Sequence, residues 1–159
     1  MTGADFFRSL VRNLASTLQV RYAFVAECQD ESKTRVRTLE FWEGECFSEN
    51  FEYDVRGTPC EKVIEGTVCY YTENVQALFP EDEDLVRLNL ESYLGIPLSD
   101  DSGEVMGHLV VLGDTPLDRG LSEVAVLLKI FSAQRRLPNW SANGRRRNSG
   151  KAKRSSAPW

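Results

Sequence analysis

The chain has 159 residues, 42% of them apolar, and a formal net charge of −5. That is enough for one domain with a core of its own. No apolar run is long enough to cross a bilayer and no basic-then-apolar leader opens the chain, so a soluble, cytoplasmic domain with no membrane partner is expected. Four cysteines (Cys28, Cys46, Cys60, Cys69) show no CxxC pairing and accompany a single histidine, His108. This predicts free thiols, no disulfide and no metal site.

The elements follow in chain order. "DFFRSLVRNLASTLQ" places Phe6, Phe7, Leu10, Val11, Leu14 and Leu18 at helical spacing with Arg8, Arg12 and Asn13 between them. "VRYAFVAEC" is apolar on both faces and predicts a central strand. "TRVRTLEFWEG" alternates, as does "FEYDV", with Phe51, Tyr53 and Val55 expected inward and Glu52 and Asp54 outward. "TVCYYT" reads as a short strand. "NVQALFPEDEDLVRLNL" reads as a turn and then a helix opened by Pro80 with acids in its first turn. "SYLGIPL" and "VMGHLVVLGD" form a hairpin across "SDDSGE", where Gly103 supplies positive φ. A last helix is expected near Asp118, with Val124, Leu127, Leu128 and Phe131 on one face. Helices around an antiparallel sheet make the fold class α+β.

"RGTPCEKVIEG", residues 56–66, carries the sharpest local chemistry. Thr58 and Glu61 are spaced as a capping box, and Pro59 fits the first helical position. Cys60 then stands beside free N–H groups at the positive end of a helix dipole, a setting that lowers a thiol's pKa. His108 lies on a strand among apolar residues, where a packed, hydrogen-bonded core histidine is expected. One histidine builds no Ser/His/Asp triad, and the acidic run 81–84 reads as a solvated helix start. No catalytic residue is assigned.

At "GTPCEKV", "ALFPEDEDL", "ESYLGIPL" and "GEVMGHLVVL", taken in that order, the chain resembles a GAF domain, of the type found in bacterial sensor histidine kinases and diguanylate cyclases. The resemblance runs from about Phe6 to Phe131. It implies a PAS-related, six-stranded antiparallel sheet with the first and last helices on one face. It also implies a small-molecule pocket on the other face, roofed by segments around 44–66 and 72–90. Trp42, Cys60, Tyr93 and His108 are the ligand-binding residues so expected. The cysteine–histidine pair of bilin-binding members and the NKFDE-type signature of cyclic-nucleotide-binding members are both missing, so the cofactor is left unknown.

The function expected from the resemblance is a non-catalytic sensory domain with an unknown small-molecule ligand and a weak homodimer. Its output domain would stand outside this chain. Two alternatives stay open. One is a thiol-dependent reductase like free methionine-R-sulfoxide reductases, using Cys60; such chemistry needs a low-pKa thiolate and a resolving thiol. The other is a dimerisation module with a vestigial pocket.

Charge divides the chain. Residues 1–133, the expected domain, hold eleven Lys/Arg against twenty-four Asp/Glu, whereas residues 134–159 hold eight basic residues and no acid. A basic segment of that kind ordinarily marks nucleic-acid or anionic-lipid binding. The reading made of 134–159 is different: a basic disordered tail produced by out-of-frame translation, with no nucleic acid among the partners. Related domains continue their last helix, whereas here Pro138 and Gly144 interrupt "QRRLPNWSANGRRRNSG". Read from the third base of each codon, "PNWSANG" can encode Glu-Leu-Glu-Arg-Gln-Arg, the start of such a helix.

Overall fold

The computed structural model describes residues 3–117. The expected last helix and the basic segment after it lie outside the described residues. The first helix, α1 (Gly3–Leu18), buries Phe7, Val11, Leu14, Ala15 and Leu18, which recur every three or four residues and therefore share one face. Arg12, Asn13, Ser16 and Thr17 fill the exposed side. The helix ends at Gln19, which takes φ 56° so that the Val20 N–H reaches the Ala15 carbonyl at 3.0 Å, a left-handed C-terminal cap.

The strands are β1 (Tyr22–Cys28), β2 (Arg35–Trp42), β3 (Phe47–Ser48), β4 (Glu52–Asp54), β5 (Cys69–Tyr71), β6 (Ser92–Ser99) and β7 (Val105–Gly113). They form one sheet in the order β3-β2-β1-β7-β6-β5, with β4 also paired to β2, and every pairing is antiparallel. The six strands expected are β1, β2, β4, β5, β6 and β7; "FEYDV" is β4, which pairs β2 beside the main path, and the two-residue β3 at the end of that path is the additional strand. "YAFVAEC" is central, as its two apolar faces require. Opposite Val25 and Ala26 the register skips Leu39, a bulge that bends β2 so that it can pair β3 at one end and β4 at the other. The hairpin joining β6 to β7 turns at Gly103, φ 90°.

Alternation divides the core in two. Ala23, Val25, Leu94, Ile96, Leu109 and Val111 meet α1, whereas Phe24, Ala26, Tyr93, Val110 and Leu112 point the other way. The second face is covered by three short helices, α2 (Cys60–Ile64), α3 (Val75–Leu78) and α4 (Glu83–Arg87). β6 is buried on both faces along its whole length. It tolerates Pro97 because β5 pairs only with Tyr93–Gly95, so the missing N–H falls on an edge.

Three local expectations are corrected. "NVQALFPEDEDLVRLNL" is two short helices with Pro80 in the turn between them, and Asp82 rather than Pro80 opens the second. The capping box at Thr58 does not close. The Thr58 hydroxyl accepts from the Cys60 N–H at 3.1 Å, and the Glu61 carboxylate reaches one residue too far, to the Gly57 N–H at 3.4 Å. Glu52 does not point freely into water: its side chain is 5% exposed and lies 3.6 Å from Arg35 and 3.9 Å from Arg37. Register explains this, since β4 sets Glu52 across from Arg37 and Asp54 across from Arg35.

Candidate functional site

Beneath the short helices a half-open cavity of about 630 Å³ remains on the face of the sheet opposite α1. Its floor is aromatic because β1, β2, β4 and β6 present Tyr22, Phe24, Phe41, Tyr53 and Tyr93 toward it. Phe24 and Phe41 are stacked, with centroids 5.0 Å apart and planes 10° apart. Phe51, Leu85, Leu88 and Leu90 form the walls, and Glu43, Arg56 and the 81–84 run form the mouth.

At the deep end, four polar side chains from four elements meet. The Tyr93 hydroxyl donates to Cys60 Sγ at 3.1 Å, the Tyr53 hydroxyl lies 3.3 Å from the same sulfur, and it also lies 3.3 Å from His108 Nε2. One self-consistent placement of protons runs from Tyr93 O–H to sulfur, from S–H to Tyr53, and from Tyr53 O–H to a neutral imidazole. Tyr93 can reach Cys60 because Gly95, two residues along the same face, has no side chain. A Cβ there would stand 2.6 Å from Val63 Cγ2 and 2.7 Å from the Tyr93 oxygen.

The electrostatics follow from burial. Cys60 is pushed up to about 11 by desolvation, which outweighs the lowering contributed by its bonds from Tyr53, Tyr93 and Thr58. The helix-start setting in the sequence argued for a thiolate; a five-residue helix with its thiol wholly buried gives a protonated thiol instead. His108 is fully buried and pulled down to about 3, again by desolvation, with the Ala26 carbonyl opposing weakly. Its Nδ1 has no hydrogen-bond partner among the described residues. Burial likewise holds Tyr53 and Tyr93 well above the usual phenol value. The cluster is therefore neutral: it can hold a position by hydrogen bonding, but it offers no ionised nucleophile at neutral pH. Among the described residues no three His, Cys, Asp or Glu side chains come together as a metal-binding group.

Of the four residues expected at the site, Cys60 and Tyr93 line the cavity. His108 stands behind them, joined through Tyr53, with its ring edge-on to Phe24 at 5.8 Å. Trp42 does not join them. It packs with the cluster on the α1 face, edge-on to Phe47 at 5.1 Å, because the bulge at Leu39 sets Phe41 toward the cavity and its neighbour away from it. Tyr53, which links sulfur and imidazole, was not among those four; its inward alternation in "FEYDV" was the available signal.

An antiparallel sheet packed by a helix on one face and hollowed by a roofed cavity on the other is an α+β domain built around that cavity. Residues 3–134 match the GAF domain, and the chain belongs to the GAF domain family. It is 32% identical over 79 residues to hybrid signal transduction histidine kinase F of Dictyostelium discoideum; that match takes in 50% of this chain and 6% of that protein, so the chain spans only a small part of its curated relative. Among solved structures, the GAF domain of A. aeolicus nlh2 in an inactive state aligns with TM-score 0.61 at 16% identity, over 85% of this chain and 81% of that one. The cyanobacteriochrome receptor PixJ aligns with TM-score 0.63 at 16% identity, over 83% and 91%. A domain of a two-component sensor histidine kinase protein from Sinorhizobium meliloti aligns with TM-score 0.57 at 16% identity, over 99% of each. At these identities the structures show the shared fold.

Proposed function

We propose that this GAF domain is a non-catalytic sensory module of a two-component signalling protein, which binds a small molecule in the cavity between the sheet and α2–α4. The observation that carries the reading is the cavity itself, about 630 Å³, aromatic below and polar at its mouth. That size and lining suit a small organic ligand. The similarity to a hybrid histidine kinase supports a signalling context, with the output module beyond this chain. Ligand binding would bias the roof and the short β4 strand, and α1 with the last helix would carry that bias to a partner. A weak homodimer through those helices in the cytoplasm completes the reading; Phe6 of α1, 36% exposed, is available to it.

A thiol-dependent reductase has less support, because a buried thiol pushed up to about 11 supplies almost no thiolate. The test is a fragment library screened by NMR against the whole chain. Ligands that move the resonances of Phe51, Tyr53 and Leu88 and raise the melting temperature are expected. A library that leaves those resonances unmoved overturns the sensor reading and favours the dimerisation module.

A further inference from the structure

We infer that the deep end of the cavity takes the N–H or O–H of a neutral organic ligand, the Tyr93 oxygen accepting a hydrogen bond from it; the inference rests on the cavity being a ligand site. The direction of the hydrogen bonds in the Tyr93–Cys60–Tyr53–His108 cluster carries it. His108 and Ala26 stand opposite each other in the β1–β7 pairing. The Tyr53 hydroxyl engages Nε2 at 3.3 Å, which leaves Nδ1 for the Ala26 carbonyl. A carbonyl offers only lone pairs, so it favours the tautomer protonated on Nδ1, although the contact falls short of a full hydrogen bond. A neutral ring with its proton on Nδ1 can only accept at Nε2.

That tautomer assigns every proton in the cluster. The Tyr53 hydroxyl donates to Nε2, so its oxygen accepts from the Cys60 thiol at 3.3 Å, and the sulfur accepts from the Tyr93 hydroxyl at 3.1 Å. Each of these three donors is thereby spent inside the cluster. The Tyr93 oxygen accepts from no group among the described residues and keeps its lone pairs. Tyr93 is 1% exposed, yet it lines the cavity together with Tyr53 and Cys60. Buried polar capacity of this kind calls for a partner, and the cavity is the side from which one can come. A ligand group that only accepts would meet lone pair with lone pair and stay unpaired beside Phe24, Leu90 and Leu112. The four cluster side chains are neutral, so an ion carried to this depth would lose its hydration without a counter-charge among them.

Three fused bicyclic probes of nearly one shape test this on the whole chain: indole, which donates; benzoxazole, whose ring nitrogen accepts; and benzofuran, which does neither well. Binding is followed by NMR titration. We expect indole to bind about fivefold tighter than either of the others, the worth of one net hydrogen bond, and to move the Tyr53 and Tyr93 resonances. Tyr93→Phe removes the acceptor and brings the three affinities together. That variant also takes a donor from the thiol, so a second measurement uses no substitution: the ring-nitrogen shifts of His108, the chain's single histidine, report its tautomer. A proton on Nδ1 is expected. A proton on Nε2 overturns the inference, because Tyr53 then donates to sulfur and the thiol's own proton is left for the ligand. Benzoxazole or benzofuran binding as tightly as indole also overturns it and leaves the ligand-site reading standing. So does a preference for indole that persists in Tyr93→Phe or moves neither tyrosine, since the donor then pairs elsewhere. If none of the three binds, the inference is overturned, and the fragment screen alone decides whether the cavity is a ligand site.

Discussion

His108 is the chain's single histidine, which makes acidification a clean perturbation. Its imidazole is held at about 3 in the folded domain against an ordinary value of 6.5, because the ring is fully buried and a charged form would be stranded there. The unfolded chain therefore takes up a proton as the pH falls through 6.5, whereas the folded domain does not until about 3. Stability is fully present above 6.5 and is lost progressively below it, at a limiting slope of about 1.4 kcal/mol per pH unit. Between about pH 7.5 and about pH 5 the loss assigned to this one group is about 2 kcal/mol. Carboxylates titrate over part of that range, so the measurement is a double difference. Urea unfolding is followed at both pH values for the unsubstituted chain and for His108→Gln, whose amide cannot take up a proton but can still bond Tyr53. The expected result is a pH-dependent loss larger in the unsubstituted chain by about 2 kcal/mol. An equal loss in both proteins would refute the reasoning, since it would mean that His108 is protonated alike in the folded and unfolded states.

Gly95→Ala is expected to destabilise by about 1–3 kcal/mol, because the new methyl meets Val63 at 2.6 Å and pushes the Tyr93 hydroxyl off Cys60; thermal unfolding measures the loss. Thiol mapping with iodoacetamide near neutral pH should label exposed Cys46 well before buried Cys60 and Cys69, although the Glu43 carboxylate raises Cys46 somewhat. Cys60→Ser should leave the chain without any methionine sulfoxide turnover to lose, and a measured turnover abolished by that substitution would establish the reductase. For the segment after residue 134, the gene's third codon bases should spell Glu-Leu-Glu-Arg-Gln-Arg in the shifted frame; stop codons there would return the basic segment to a nucleic-acid or lipid-binding assay.

Periodicity and turn chemistry in the sequence were sufficient for α1, for central β1, for the β6–β7 hairpin and for the α+β class, because each depends on residues close in the chain. The four ordered motifs were enough for the family. Tertiary structure decided the chemistry of the site. Cys60 looked activated by its helix start, yet whether a thiol ionises depends on its solvent, and β6, β7 and β4 remove that solvent. Tyr53 gained its place between sulfur and imidazole only when β4 paired with the edge of β2, a contact spanning some fifteen residues. Trp42 fell on the α1 face because a single skipped residue at Leu39 reverses every side chain beyond it. Local propensity has no means of encoding that skip, since a bulge is defined by two strands and the sequence displays only one of them at a time.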